Sequence, residues 1–163
     1  MRLLPTLLIA AAAVLAASAP AHAAPLQLSG PTLDGGKFDL QALRGRVVML
    51  FFWNTDCVPC VLRMPELRAN AMGWRAKPFT LVLVSTDRDR QAALGYVKTL
   101  RQVDKAAVDT PFLWAGEQRL GGGLTVPSSV PVTLVLDAKG EVVARHVGRI
   151  APEAWDDVAG LLP

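Results

Sequence analysis

The stretch Phe51-Phe52-Trp53-Asn54-Thr55-Asp56-Cys57-Val58-Pro59-Cys60 constrains this chain more than any other. An apolar run ends there in a short polar turn. The chain's two cysteines follow, three positions apart, and a helix-like sequence with proline in its first turn begins. Val47 to Trp53 is apolar at every position and does not alternate, the pattern of a strand buried on both faces of a central sheet. Strand, turn, Cys-x-x-Cys and helix in that order are the sequence form of a thiol–disulfide redox site.

Other uses of the cysteines fit less well. A structural zinc site needs four ligands. Beyond the first 23 residues the chain offers Cys57, Cys60 and one histidine, His146. His146 falls in an expected edge strand, where an ordinary surface histidine is the simplest reading, and a copper-delivery module would want a further soft ligand. Met64 reads as a core residue of the helix. A purely structural disulfide would close a very short loop and so constrain the unfolded chain little. Redox chemistry uses the arrangement better. The thiolate is the nucleophile, and Cys57 falls at a helix N-terminus, where unpaired N–H groups and the macrodipole favour negative charge. Pro59 suits the first turn because its missing N–H is not needed there. Cys57 is the exposed nucleophile. Cys60, one turn further in, is the resolving thiol. This chemistry asks for no cofactor and no metal.

Residues 1–23 read as a secretory signal peptide: Met1 and Arg2, then a nearly continuous apolar run from Leu3 to Ala17, then Ala21-x-Ala23. The apolar run falls short of the roughly 20 residues of a membrane span, with an uncleaved anchor as the alternative. Residues 24–163 are expected to form one exported domain, in an oxidising compartment such as the periplasm. Without Arg2, 16 basic residues stand against 14 acidic ones with no basic run, which argues against nucleic acid as a partner. Lys37-Phe38-Asp39 and Leu26-Gln27-Leu28 flank Asp34-Gly35-Gly36 as an N-terminal β-hairpin, and Leu40–Leu43 reads as one helical turn. A helix follows Pro59, kinked at Pro65, with Val61, Leu62, Met64 and Leu67 on its apolar side. Phe79–Ser85 is a second buried strand, with Asp87 or Asp89 capping a helix over Gln91–Val103. Phe112–Trp114 is a short apolar piece, Glu117–Leu120 a helical turn, and Gly121–Gly123 the most flexible point. Val132–Leu136 and Glu141–Val147 form a hairpin around Asp137–Gly140, and Pro152–Leu162 a last helix. The fold class is therefore α/β, a central mixed β-sheet with helices on both faces behind an N-terminal β-hairpin.

Three blocks in this order resemble the thioredoxin superfamily, specifically its secreted TlpA/ResA-type thiol–disulfide oxidoreductases. They are the entry segment Leu33–Leu50, the active-site block FFWNTDCVPCVLRMPEL with Trp53, Cys57, Pro59, Cys60 and Pro65, and the closing block VPVTLVLDAKGEVVARHVG. The resemblance implies a thioredoxin-like fold and a cis peptide bond before Pro131. The Val130 backbone would then pair with an incoming peptide strand. Trp53 is, by its closeness to Cys57 in sequence, expected to line the site. The resemblance also implies reduction of disulfides in exported proteins, commonly apocytochrome c or copper-site proteins, as in cytochrome c biogenesis. A membrane-embedded disulfide reductase would supply the electrons, and a monomer is expected.

Two departures stand out. Asp56 occupies the place of the family's tryptophan before the first cysteine, and Arg63 the place of its glutamate three residues after the second. Classical thioredoxins carry an aspartate where this chain has Phe51. A carboxylate beside Cys57 disfavours its thiolate and a guanidinium near Cys60 favours one, so Asp56 and Arg63 are expected to tune the pair. Rival readings are a peroxiredoxin-like peroxidase, for which Asn54 stands where a threonine or serine is needed, a thiol oxidase, for which Val58-Pro59 lacks an activating histidine, and a non-enzymatic metallochaperone.

Overall fold

A computed structural model describes residues 25–104 and 109–163. The expected signal peptide lies outside the described residues. The chain opens with an antiparallel hairpin, β1 (Gln27–Pro31) and β2 (Lys37–Asp39), closed by a Thr32–Gly36 turn. Asp39 then caps a 3-10 turn, Leu40–Leu43, by accepting the Gln41 N–H at 2.9 Å. β3 (Val47–Trp53) leads into α1 (Val58–Gly73), β4 (Phe79–Ser85), α2 (Arg90–Val103) and β5 (Phe112–Trp114). A 3-10 turn at Ala115–Glu117 precedes β6 (Arg119–Gly121), and β7 (Val132–Leu136), β8 (Val142–Val147) and α3 (Glu153–Gly160) complete the chain.

The main sheet has the order β5-β4-β3-β7-β8, with β3 at its centre. β3, β4 and β5 run parallel, and β7 and β8 run antiparallel to their neighbours. All seven residues of β3 are buried, as its unbroken apolar run requires. Alternation divides them between two cores. Val47, Met49, Phe51 and Trp53 pack with Cys60, Met64 and Leu67 of α1, Val97 and Leu100 of α2, and Val158 of α3. Val48, Leu50 and Phe52 face the other way, toward Leu28, Phe38, Leu40 and Leu124.

All three α-helices thus contribute to one face, and the small β2-β1-β6 sheet with its 3-10 turn covers the other. This corrects the expectation of helices on both faces. The short apolar piece Phe112–Trp114 is a strand beside β4. The crossovers from β3 to β4 and from β4 to β5 step in the same direction, so right-handed connections carry α1 and α2 over the same face. The helical turn expected over Glu117–Leu120 lies earlier, at Ala115–Glu117, and Arg119–Gly121 pairs antiparallel with β1. Of the following glycines, Gly123 (φ +83°) faces open space and Gly122 is closely approached. At Gly122 (φ +65°) a Cβ would come within 2.0 Å of the Pro25 carbonyl oxygen.

On α1 the buried side is Cys60, Met64, Leu67 and Arg68. Leu62, expected on that side, is 73% exposed. Arg68 is buried because its guanidinium finds acceptors: Nε donates to the Met64 carbonyl at 3.1 Å, and Nη1 pairs with Asp104.

Candidate redox site

The site forms where β3 ends in the centre of the sheet. Asn54 to Cys57 makes a tight turn, in which the Cys57 N–H donates to the Asn54 carbonyl at 3.3 Å. Cys57 is the N-cap of α1, with extended backbone (φ −83°, ψ 90°), and its Sγ accepts the Cys60 N–H at 3.2 Å. Pro59 stands in the first turn, where no N–H is missed. Cys57 and Cys60 are joined by a disulfide. Cys57 is partly exposed, whereas Cys60 is completely buried. The two residues of the pair thus differ in exposure, Cys57 partly open to solvent and Cys60 enclosed by the protein.

The Val130–Pro131 bond is cis. The Pro131 carbonyl accepts the Gly148 N–H at 2.8 Å, which ties the entry of β7 to the end of β8. Gly148 (φ +79°) is in the left-handed region that glycine adopts without strain. Two hollows flank the cysteine turn. A polar groove of about 760 Å³ is lined by Asn54, Thr55, Asp56, the loop Thr86–Asp89 and the segment Val126–Val130. A mainly apolar hollow of about 410 Å³ is lined by Val58, Pro59, Leu62, Arg63, Pro131 and Arg149. Asp56 belongs to the first and Val58 to the second, so Cys57 is the residue between them, with Val130 and Pro131 divided in the same way.

Asp56 is exposed beside Cys57. The Arg63 guanidinium is held by Glu66, one turn further along α1. Glu66 also accepts the Trp155 indole N–H of α3 at 2.9 Å. Burial works to raise the Glu66 carboxyl, but the Trp155 hydrogen bond and the Arg63 and Arg149 charges outweigh it, leaving the group below its ordinary value. Trp53, expected to line the site, is 0% exposed and presents no surface to a substrate. It shares a face with Phe51 and Met49, and its ring packs 4.8 Å from Tyr96 and 6.5 Å from Phe112 between centroids. Phe51 is equally buried, so no carboxylate occupies that position. His146 lies on the edge strand β8, and no three metal-ligating side chains converge among the described residues.

One participant was not anticipated in this role. Asp87, read from sequence as a possible helix cap, leaves that task to Asp89, which accepts the Gln91 N–H at 2.9 Å. Asp87 instead turns its carboxylate to Thr55, in the turn before Cys57. Oδ1 accepts the Thr55 N–H at 2.9 Å and the Thr55 hydroxyl at 2.6 Å. The signal lay in the strand register: β3 and β4 pair Trp53 with Ser85, which brings the residues after each strand together.

The Redoxin family profile matches residues 16–161. Among curated relatives, the thiol-disulfide oxidoreductase ResA of Bacillus cereus (strain ZK / E33L) is 26% identical over 121 residues, 74% of this chain and 66% of the relative. The chain thus spans just under two thirds of that protein's length. The thioredoxin-like protein YneN of Bacillus subtilis (strain 168) is 31% identical over 132 residues, covering 77% of this chain and 70% of the relative. Among solved structures, a thiol:disulfide interchange protein of the thioredoxin family from Chlorobium tepidum TLS superposes with a TM-score of 0.66 at 26% identity, covering 88% of this chain and 97% of that one. A secreted Mycobacterium tuberculosis disulfide oxidoreductase shares the fold, with a TM-score of 0.60 at 24% identity over 82% of this chain and 95% of its own.

Proposed function

The chain belongs to the Redoxin family, within the thioredoxin superfamily, and on that premise we propose that it is an exported thiol–disulfide oxidoreductase that reduces disulfides in other exported proteins. The observation that carries this reading is the asymmetry of the pair: Cys57 is partly exposed at the N-terminus of α1, and Cys60 is wholly buried one turn inside. In the dithiol form, the Cys57 thiolate attacks one sulfur of a substrate disulfide. A mixed disulfide forms and the substrate's other sulfur leaves as a thiolate, which takes a proton. The Cys60 thiol then loses its proton and attacks the Cys57 sulfur. The second substrate sulfur leaves and is protonated. Two electrons have passed to the substrate, and the protein holds the Cys57–Cys60 disulfide. Val130 and Pro131 would receive the substrate backbone beside Cys57, in the strand-addition mode. A two-electron dithiol donor must regenerate the pair, a role suited to a membrane-embedded disulfide reductase. Apocytochromes and copper-site proteins are the expected substrate class, and the periplasm or an equivalent exterior space the expected location. Among the described residues no helix is long and apolar enough to cross a membrane.

Trapping tests the reading. Cys60→Ser leaves Cys57 without its resolving partner, so incubation with the exported fraction should accumulate thiol-sensitive mixed disulfides that mass spectrometry can identify. Recovery of none would overturn the assignment. Asp56→Asn tests the tuning role. Removing that charge is expected to move Cys57 alkylation to lower pH, and an unmoved profile removes Asp56 from the chemistry.

A further inference from the structure

We propose that Asp87 is a positioning residue of the redox site, its carboxylate clamping Thr55 and thereby holding Cys57 in place at the N-terminus of α1. The proposal rests on the redox reading above. It follows from where the loop after β4 spends its hydrogen bonds. Asp87 Oδ1 accepts both the backbone N–H and the hydroxyl of Thr55, at 2.9 and 2.6 Å. Oδ2 accepts the hydroxyl of the fully buried Ser85 at 2.6 Å, and the Asp87 N–H donates back to that hydroxyl oxygen at 3.1 Å. The Asp87 carbonyl is itself held by the Trp114 indole N–H at 2.8 Å. The next residue back joins in: Thr86 donates its N–H to the Trp53 carbonyl at 2.7 Å and its hydroxyl to the same oxygen at 3.2 Å.

The loop is therefore anchored to β4 through Ser85 and to β5 through Trp114, and it grips the β3–α1 turn at Trp53 and Thr55. Thr55 is the second residue of the Asn54–Cys57 turn, two before the cysteine. Hydrogen bonds to an ionised acceptor are about twice as strong as neutral ones, and a single carboxylate here takes three side-chain or backbone donors around one turn. If Thr55 shifts, Asp56 and Cys57 shift with it, and the Cys57 sulfur leaves the end of the helix where N–H groups such as that of Cys60 stabilise its charge. The charged groups sharing this groove are Asp56, Arg88 and Asp89, with Arg63 and Arg149 in the hollow on the other side.

Positioning and simple charge predict opposite signs. Deleting a nearby negative charge would by itself favour the Cys57 thiolate and move its reactivity to lower pH. Loosening the clamp would move it to higher pH, because the thiolate loses its seat at the helix terminus. The test measures the alkylation rate of Cys57 against pH in the full chain carrying Cys60→Ser. It compares that background with Asp87→Asn, Thr55→Val and Thr55→Ser added, and the disulfide reduction potential is measured for the same changes in the two-cysteine protein. The expected result is a shift to higher pH for Asp87→Asn and for uncharged Thr55→Val, with the rate at neutral pH lowered about threefold to tenfold. Thr55→Ser, which keeps both donors, should retain the parent profile. Combining Asp87→Asn with Thr55→Val should do no more than the stronger single change. Asp137→Asn, which weakens a turn at the far end of β7, should lower the melting temperature without moving the profile.

A shift to lower pH in Asp87→Asn, or unmoved profile and potential in Thr55→Val, overturns the proposal. Should Asp87→Asn fail to fold, the Thr55 pair decides alone. Alkylation and potential require no protein substrate, so they judge the clamp even if wild-type protein fails to reduce a disulfide substrate, an outcome that would count against the functional reading instead.

Discussion

At the scale of single residues, the redox pair is set by its place at the start of α1, with Cys57 as the N-cap and Cys60 buried within the first turn. Cys57, Pro59 and Cys60 lie within one helical turn, so their order along the chain already states which sulfur caps the helix and which is buried. Trp53 shows the limit. Its closeness to Cys57 in sequence suggested a place at the surface, but alternation along β3 points it under the helices. Thr133 is a second such residue. It pairs with Phe51 across β3 and β7, it is fully buried, and its hydroxyl has no hydrogen-bond partner among the described residues. Leaving a buried hydroxyl unpaired costs about 1–3 kcal/mol. Thr133→Val keeps the shape and removes the polar atom, so chemical denaturation should show a gain of about 1 kcal/mol. A loss instead would reveal a partner for that hydroxyl.

At the scale of elements, β3, β4 and β7 were legible to the residue, because long apolar runs between turn signals leave few other placements. β5 and β6 have three residues each, too few for periodicity to separate strand from loop or helical turn. They exist because neighbouring strands offer them a ladder. The tie between α1 and α3 was equally out of reach, since Glu66 and Trp155 are 89 positions apart. That tie carries a pH dependence. Glu66 is held below the ordinary glutamate value of 4.5, so its contribution is fully present above that value and is lost as pH falls through the lower, folded-state value. Thermal melts of Glu66→Gln should therefore depend less on pH in this acidic window than those of the wild type, and an equal dependence would show that Glu66 does not couple the helices. At the end of β8, Gly148→Ala meets no steric obstacle but must hold φ +79°, so it should cost about 1–2 kcal/mol in chemical denaturation.

At the scale of the whole molecule, the fold rests on the sheet and its two cores, and the disulfide adds little. The bridged residues are three apart in sequence, and closing so short a loop removes little freedom from the unfolded chain. The double variant Cys57→Ser/Cys60→Ser should keep its secondary structure by circular dichroism and lose no more than about 2 kcal/mol in denaturation. A protein that unfolded on losing the bridge would need a structural account of the cysteines in place of a redox one.

The sequence by itself determined the central strand, the helix that follows it and the distinction between Cys57 and Cys60. Those features depend on neighbours within a few residues, where periodicity and helix-end chemistry act directly. Only the tertiary structure decided that the three α-helices share one face, that Trp53 belongs to the core, and that Asp87 reaches Thr55 across 32 positions. Those facts follow from which strands pair and in what register, and hydrogen bonds between distant segments leave no periodic trace along the chain.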